Sequence, residues 1–207
     1  MGNLASTHND LGKHTEVEML EIQALDASKK ILGEEHPDTI LAMGNLASTD
    51  SHLGKYVEAE RLEIQVLDAR NKILGEEHPD TLLAMANLAH TYNDLGKDTE
   101  AEKLDIQVLD SSSKIFGEEH PDTIRAMGNL ASTYIDLGKY TEAEKLDIQV
   151  LDASSKILGG EHPGTTRAVR NSAALHKAMS QSMKVDNAHN DVFNISHRVS
   201  VKQNIEG

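Results

Sequence analysis

The chain has 207 residues, 38% of them hydrophobic and only 3% aromatic, with no cysteine and a net charge of −14 at pH 7. The negative charge argues against nucleic acid or an anionic membrane surface as a partner, because both are bound by clustered Lys and Arg. The lack of cysteine excludes a disulfide framework and a catalytic thiolate. No segment reads as a signal peptide or a membrane span, so we expect a cytoplasmic protein.

The sequence repeats itself with a period of 42 residues. Met1, Met43, Met85 and Met127 are spaced by this distance, and so are the only four prolines of the chain. The copies have these bounds: 1–42, 43–84, 85–126 and 127–168. The third and fourth copies differ at only nine of 42 positions, which excludes a chance similarity. Repeats of this length indicate a solenoid, in which each copy packs only against its neighbours.

The first copy is incomplete at its N-terminal side. Met1 aligns with Met85, so its first helix lacks the proline, the acidic first turn and the first apolar turn. A solenoid needs a capping end with a polar outer face, and none is visible here. We therefore expect a truncated N-terminal repeat that frays, and a chain that is a monomer or associates weakly with itself through this end.

Each copy is predicted to form two helices, and the third copy shows the pattern of the first one. Its apolar residues recur at three- and four-residue steps and form one stripe: Leu82, Met85, Leu88, Ala89, Tyr92 and Leu95. Pro79 suits the first turn, where a missing N–H costs nothing, and Asp80 complements the helix dipole. Gly96 is expected to end the helix in a left-handed conformation.

The second helix of the third copy is predicted to begin near Thr99 and to end at Gly117. Acidic residues lie in its first turn and Lys114 lies in its last turn, as the helix dipole favours. The predicted apolar stripe contains Ala101, Leu104, Val108 and Ile115, widened by Ile106, Leu109 and Phe116. Two helices in each copy predict an all-α solenoid.

The repeat pattern decays after the fourth copy. Residues 169–180 align with another first helix, in which Asn171 keeps the asparagine of the other copies and Ser172 replaces the buried leucine. We interpret 169–180 as a degenerate capping helix. Residues 181–207 have no helical period and are rich in Ser, Asn, Lys and His, a composition that predicts a disordered tail.

The third copy resembles the tetratricopeptide repeat. Its run NLAHTY is followed nine residues after the tyrosine by Ala101, which matches the Leu-small-x-x-Tyr and Ala signature of that family. The usual repeat has about 34 residues, and the additional residues extend the second helix by about two turns. Asp105 departs from the pattern, because the family often has a large apolar residue there.

The 42-residue length, together with the runs YTEAEKL and GEEHPDT, is similar to the kinesin light chain type of this repeat. Near-identical arrays of that type also occur at the C-terminal ends of fungal signalling NTPases of the NACHT and NB-ARC kind. The resemblance covers 1–168. It implies a right-handed superhelical solenoid of antiparallel helix pairs.

The residues that suggest catalysis or metal binding are explained better by the helices. His36, His78, His120 and His162 occur once per copy, so equivalent nitrogens on stacked helices lie at least about 10 Å apart. A shared zinc ion needs them at about 2.0–2.1 Å from the metal. The glutamates also recur at helix starts, and no phosphate-binding glycine loop is present. We therefore expect no enzymatic activity, no metal and no cofactor.

An asparagine recurs in every copy on a stripe of the first helix that is separate from the apolar stripe. Its side chain offers a donor and an acceptor, so a row of asparagines can bind the backbone of an extended peptide. The resemblance implies this use, because kinesin light chain-type arrays bind through first-helix asparagines. The predicted groove residues are Asn45, Asn87, Asn129, Ser48, His90, Ser132, Asn93, Ile135 and Arg125. The alternative is that the asparagines cap or bridge helices.

The sequence therefore predicts a protein–protein interaction scaffold, with a concave groove for a peptide or a partner domain. The alternative function is a detached ligand-sensing or autoinhibitory repeat region of a fungal signalling NTPase, which a nucleotide-binding domain encoded upstream would support. A motor cargo adaptor is less favoured, because it calls for a heptad coiled coil that this sequence does not contain.

Overall fold

The computed structural model describes the backbone of residues 2–158, the side chains of residues 15–157, and eight residues between 169 and 180. Its helices are α1 (Gly2–Leu32), α2 (Pro37–His52), α3 (Tyr56–Leu74), α4 (Pro79–Asp94), α5 (Asp98–Phe116), α6 (Pro121–Asp136) and α7 (Tyr140–Leu158). The eight later residues are helical, and Leu175 among them is buried. No strand occurs in these ranges, and the predicted all-α class is confirmed. The side chain of Asn3, Asn171 and the predicted tail 181–207 lie outside the described residues.

The 42-residue period is visible in the positions of the helices. The first helices α2, α4 and α6 begin at equivalent prolines, and each packs against the second helix that follows it and the second helix that precedes it. In addition, α4 contacts α6, whereas the second helices α3, α5 and α7 do not contact one another to a comparable extent. The first helices therefore lie on the inner side of the array.

A histidine begins each complete first helix. His36, His78 and His120 are the N-cap residues, and the Nδ1 atom of each accepts a hydrogen bond from the backbone N–H two residues later, at 3.1–3.2 Å. The proline occupies the first turn, as predicted. The recurrence of histidine at this place thus has a structural cause, because an N-cap side chain satisfies one of the free donors at the helix start.

The glycine that follows each complete first helix ends it as predicted. Gly54, Gly96 and Gly138 have φ values of 75°, 69° and 70°. After α4, the Gly96 N–H donates to the Asn93 carbonyl at 2.9 Å and the Lys97 N–H donates to the Tyr92 carbonyl at 2.8 Å. These two bonds form a Schellman motif, which satisfies the carbonyl groups at the helix end.

The first copy departs from the prediction of two helices, because α1 runs without interruption from Gly2 to Leu32 and includes Gly12. The residue that stands at the turn differs between the first copy and the others. In the other copies an alanine with 0% exposure stands where the two helices of a pair meet: Ala59, Ala101 and Ala143. Val17 stands at the equivalent position of α1 and is 42% exposed. Its additional methyl groups do not fit a contact that is closed on alanine.

In α4 the predicted stripe residues Leu82, Met85, Leu88 and Ala89 are buried. Tyr92 and Leu95 are half-buried, and Thr81, Ala84 and Thr91 are buried in addition.

The second helices depart further from the prediction. In α5, Ala101 and Val108 are buried as predicted, whereas Ile115 is 41% exposed. Asp105 and Ser112 are buried instead, each with 2% exposure. The prediction that Ile115 belongs to the stripe is wrong, and Ile106 is likewise 37% exposed. The reason is that α5 packs against both α4 and α6, and its contact with α6 includes Asp105 bonded to Thr133 as well as Val108 packed with Ala126.

Candidate functional site

The predicted groove residues all lie on the first helices α2, α4 and α6, on the inner side of the array. Six of them are exposed: Asn45, Ser48, Asn87, His90, Arg125 and Ser132. Three are half-buried: Asn93, Asn129 and Ile135. The asparagine stripe, which was predicted to be separate from the apolar stripe, is therefore accessible to solvent on α2, α4 and α6.

Two depressions divide these residues. The α2–α4 cleft is lined by Ser48, Ser51, His52, Tyr56, Glu63, Asn87, His90, Thr91 and Asp94. A second crevice lies between α4 and α6, and Arg125 and Asn129 line it together with Ala86 and the apolar residues Leu82, Leu83 and Phe116. Four of the predicted groove residues line neither of these two depressions: Asn45, Asn93, Ser132 and Ile135.

A hydrogen-bonded network joins the third copy to the fourth. The Asn93 Nδ2 atom donates to the Thr133 Oγ1 atom at 2.8 Å, and the Thr133 hydroxyl donates to the Asp105 Oδ2 atom at 2.7 Å. Asn93, which was predicted to contact a peptide, is thus also a bridge between α4 and α6. Burial raises the pKa of Asp105 to about 6, although the Thr133 bond and nearby His90 act against this rise.

The equivalent network between the second copy and the third has a longer carboxylate and a shorter bridging side chain. Glu63 stands in the position of Asp105 and accepts a hydrogen bond from Thr91. Ser51 stands in the position of Asn93, and its Oγ atom lies 3.4 Å from the Thr91 Oγ1 atom. Because serine does not reach across the junction as asparagine does, space remains between α2 and α4, and this space is the α2–α4 cleft.

Glu63 is 7% exposed, and its position at the inner end of the cleft was not foreseen from the sequence. Burial raises its pKa to about 7, and the charges of Asp94 and Glu60 add to the rise. A signal was present, since a carboxylate follows four residues after the stripe alanine in each complete copy, at Glu63, Asp105 and Asp147. A helical step of four places it on the same face as that alanine.

A ladder of ion pairs also connects successive copies. The lysine after the glycine that ends each complete first helix binds a glutamate of the preceding second helix: Lys55 with Glu18, Lys97 with Glu60, and Lys139 with Glu102. Lys97 and Lys139 also lie over the rings of Tyr92 and Tyr134, at 5.5 and 5.6 Å from the ring centres. In the second copy a buried aspartate, Asp50, replaces that tyrosine.

The chemistry available on this face is hydrogen bonding and charge pairing. Within the described residues, no three His, Asp or Glu side chains are grouped as metal ligands require. No helix of the described part has the length and apolarity needed to cross a membrane.

The family profiles that match this chain describe the same repeat. The profile of the tetratricopeptide repeat matches residues 1–72, 51–104 and 81–140, and a second profile of the same repeat matches 123–164. No curated protein gives a significant match.

Several solved structures share the fold. Two are the nearly identical TPR-like repeats of a putative kinesin light chain from Podosopora anserina. One of these, a variant with a single substitution, has 29% identity over 96% of this chain and 93% of that chain, with a TM-score of 0.74. The other has 30% identity over 89% and 88%, with a TM-score of 0.72. BtubC (BKLC) from P. vanneervenii has 20% identity over 88% and 73%, with a TM-score of 0.71, and shows the fold alone. The chain therefore belongs to the tetratricopeptide repeat family, and its copies are similar to those of the kinesin light chain type.

Proposed function

We propose that the chain is a protein–protein interaction scaffold, which binds an extended peptide along the inner face of α2, α4 and α6. The observation that carries this proposal is the state of the recurrent asparagines. Among the described residues, the side chains of Asn45, Asn87 and Asn129 have no hydrogen-bond partner. This supports binding over the structural alternative, because an asparagine that caps or bridges helices would be bonded within the chain.

The spacing of these asparagines suits a peptide backbone. They recur at equivalent places on stacked first helices, and each amide can donate one hydrogen bond and accept another. Main-chain binding of this kind does not depend on the peptide side chains, so specificity falls to the neighbouring residues. These residues are Ser48, His90, Ser132, Asn93, Ile135 and Arg125, and at none of their positions is the residue the same in all copies.

The proposal is tested by replacing Asn45, Asn87 and Asn129 with alanine together. Peptides are first selected from a displayed random library on the immobilised full chain, and their affinity for the variant is then measured. Each lost hydrogen bond is worth about 0.5–1.5 kcal/mol net, so binding should weaken by roughly 10- to 1,000-fold. Equal affinity of the variant would refute the groove.

A matched control distinguishes binding from stability. Gln65, Gln107 and Gln149 recur once per copy on the second helices and are exposed, so their triple alanine variant should bind the selected peptides normally. Both variants should keep the helix content and melting temperature of the parent chain. If only the asparagine variant unfolds, the asparagines are structural and the proposal fails.

We also propose weak self-association through α1. Leu20 is 66% exposed, whereas the equivalent Leu62 of α3 is 4% exposed because α2 covers it. Val17 and Met19 extend this exposed apolar surface. Burial of a leucine side chain stabilises a contact by about 1.5–3 kcal/mol, which favours association of two such surfaces at high concentration.

A further inference from the structure

We propose that the α2–α4 cleft is a pocket for one basic side chain, the lysine or arginine of a bound peptide, with Glu63 at its inner end. The inference rests on the proposed function and adds the chemical class of the ligand. The asparagine row would bind the peptide backbone, and the cleft would select one cationic side chain.

The first argument is the unsatisfied bonding capacity of Glu63. Thr91 donates a hydrogen bond to this carboxylate, but the Oε2 atom is buried and has no partner within the described residues. A buried carboxylate oxygen without a partner is costly. An ammonium or guanidinium group that enters the cleft supplies both the missing donor and the opposite charge.

The second argument is the charge of the surrounding groups. Asp94 lies at the cleft and interacts with Glu63, and no lysine or arginine is among the lining residues. The His52 Nδ1 atom donates to the Ser48 carbonyl at 2.6 Å, and the His90 Nε2 atom lies 3.8 Å from the Asp94 Oδ2 atom. The lining residues therefore include two carboxylates and no lysine or arginine, which favours a cation over an anion.

One further charge acts on Glu63 from outside the cleft. Glu60 on α3 adds negative potential, and Lys97 neutralises it in part through bonds of 2.7 Å to both carboxylate oxygens of Glu60. Because Lys97 is bound to Glu60, it does not supply the partner that Glu63 lacks. Burial together with these charges raises the pKa of Glu63 to about 7. A basic ligand should consequently bind more tightly at pH 8 than at pH 6, as it pairs with the ionised form.

The third argument is an internal comparison with the next junction. There Asn93 takes the place of Ser51 and reaches Thr133, and that threonine binds Asp105. The longer asparagine fills the space that serine leaves open. Among the described residues, the cleft beside a buried carboxylate is found at the junction with Ser51 and Glu63.

The direct test uses n-butylammonium chloride as a probe of the lysine side chain, with butyrate and n-butanol as controls. The full chain, labelled with ¹⁵N, is titrated with each compound and the amide signals are followed by NMR. Butylammonium alone should shift the signals of the cleft residues. Glu63→Gln removes the charge and Ser51→Asn fills the cleft, so each should abolish the response, whereas Asp105→Asn in the filled junction should retain it.

Three results would overturn the pocket: no shift at the cleft, an equal response to butyrate or butanol, or an unchanged response of Glu63→Gln. Preserved helix content verifies that each variant is folded. If Ser51→Asn is misfolded, Ser51→Leu fills the same space and replaces it in the test.

The second test uses the displayed library. Peptides selected on the parent chain should share a lysine or arginine at one position, and replacing that residue with norleucine should weaken binding at least about tenfold, as expected for a hydrogen bond between charged groups. Glu63→Gln should remove this preference. Selected peptides without a basic residue would overturn the pocket and leave the scaffold intact. A butylammonium response without any peptide binding would refute the scaffold alone.

Discussion

The buried carboxylate of Asp105 should make the chain less stable at alkaline pH than at acidic pH, and Asp105→Asn should remove this effect. Asparagine has the same shape and can still accept the hydrogen bond from Thr133, but it carries no charge. Asp105 is only 2% exposed, and its pKa is raised from 3.8 to about 6 in the folded chain. The ionised form is therefore less favourable in the folded chain than in the unfolded one.

The sign follows from proton binding. Between the unfolded value of 3.8 and the folded value of about 6, the folded chain binds more protons than the unfolded chain, so the free energy of unfolding rises as the pH falls through this window. One pKa unit corresponds to about 1.4 kcal/mol. The contribution of Asp105 should therefore change by about 2 to 3 kcal/mol between pH 8 and pH 4, and Asp105→Asn should be more stable than the parent at pH 8 by a similar amount.

Urea denaturation of the two chains at pH 8 and pH 4 measures this difference. Other carboxylates titrate in both chains, so the informative quantity is the change in the stability difference between them. Asp110→Asn, at an exposed position of the same helix, is the control and should stay within about 0.5 kcal/mol of the parent at both pH values. A stability difference for Asp105→Asn that is equal at pH 8 and pH 4 would refute the reasoning.

Three further predictions concern the second copy and α1. Asp50→Tyr should raise the free energy of unfolding by about 1 to 2 kcal/mol. The change restores the ring over which the lysine lies in later copies, and it removes a buried acid whose pKa is raised by burial and by Glu18. A lower melting temperature would contradict this prediction. His78→Ala should cost about 1 kcal/mol through the lost N-cap, whereas His78→Asn should cost little; equal losses in thermal denaturation would exclude the capping role. Leu20→Glu should reduce self-association in sedimentation experiments, and a parent chain that remains strictly monomeric at high concentration would disprove the association.

The ends of the complete first helices could be predicted from the sequence, because local chemistry decides them. Proline lacks the backbone N–H that would remain unpaired at the start of a helix. Glycine adopts the positive φ needed at position 96 whatever the helix packs against. The expected interruption of α1 does not occur, because such a turn depends on two helices that pack together at one small residue. The comparison of Val17 with Ala101 contained the necessary signal.

The buried face of the second helices could not be predicted from one helix alone. Asp105 accepts a hydrogen bond from Thr133 of the following copy, and α5 is oriented so that Asp105 rather than Ile115 is buried. The candidate site shows the same limit. The asparagine stripe was predictable from its spacing, but the α2–α4 cleft depends on the difference in reach between Ser51 and Asn93 across two copies.

The ladder of lysine–glutamate pairs has a consequence for changes in copy number. Each pair joins residues 37 positions apart in adjacent copies and has the same geometry from one junction to the next. Excision of residues 85–126 would bring Lys139 opposite Glu60 and restore an equivalent pair, and duplication of a 42-residue unit would add one. The array can therefore be lengthened or shortened by whole units without an unpaired charge at the new junction. Excision of 85–126 would, however, remove the α4 residues that line the α2–α4 cleft, among them Thr91 and Asp94.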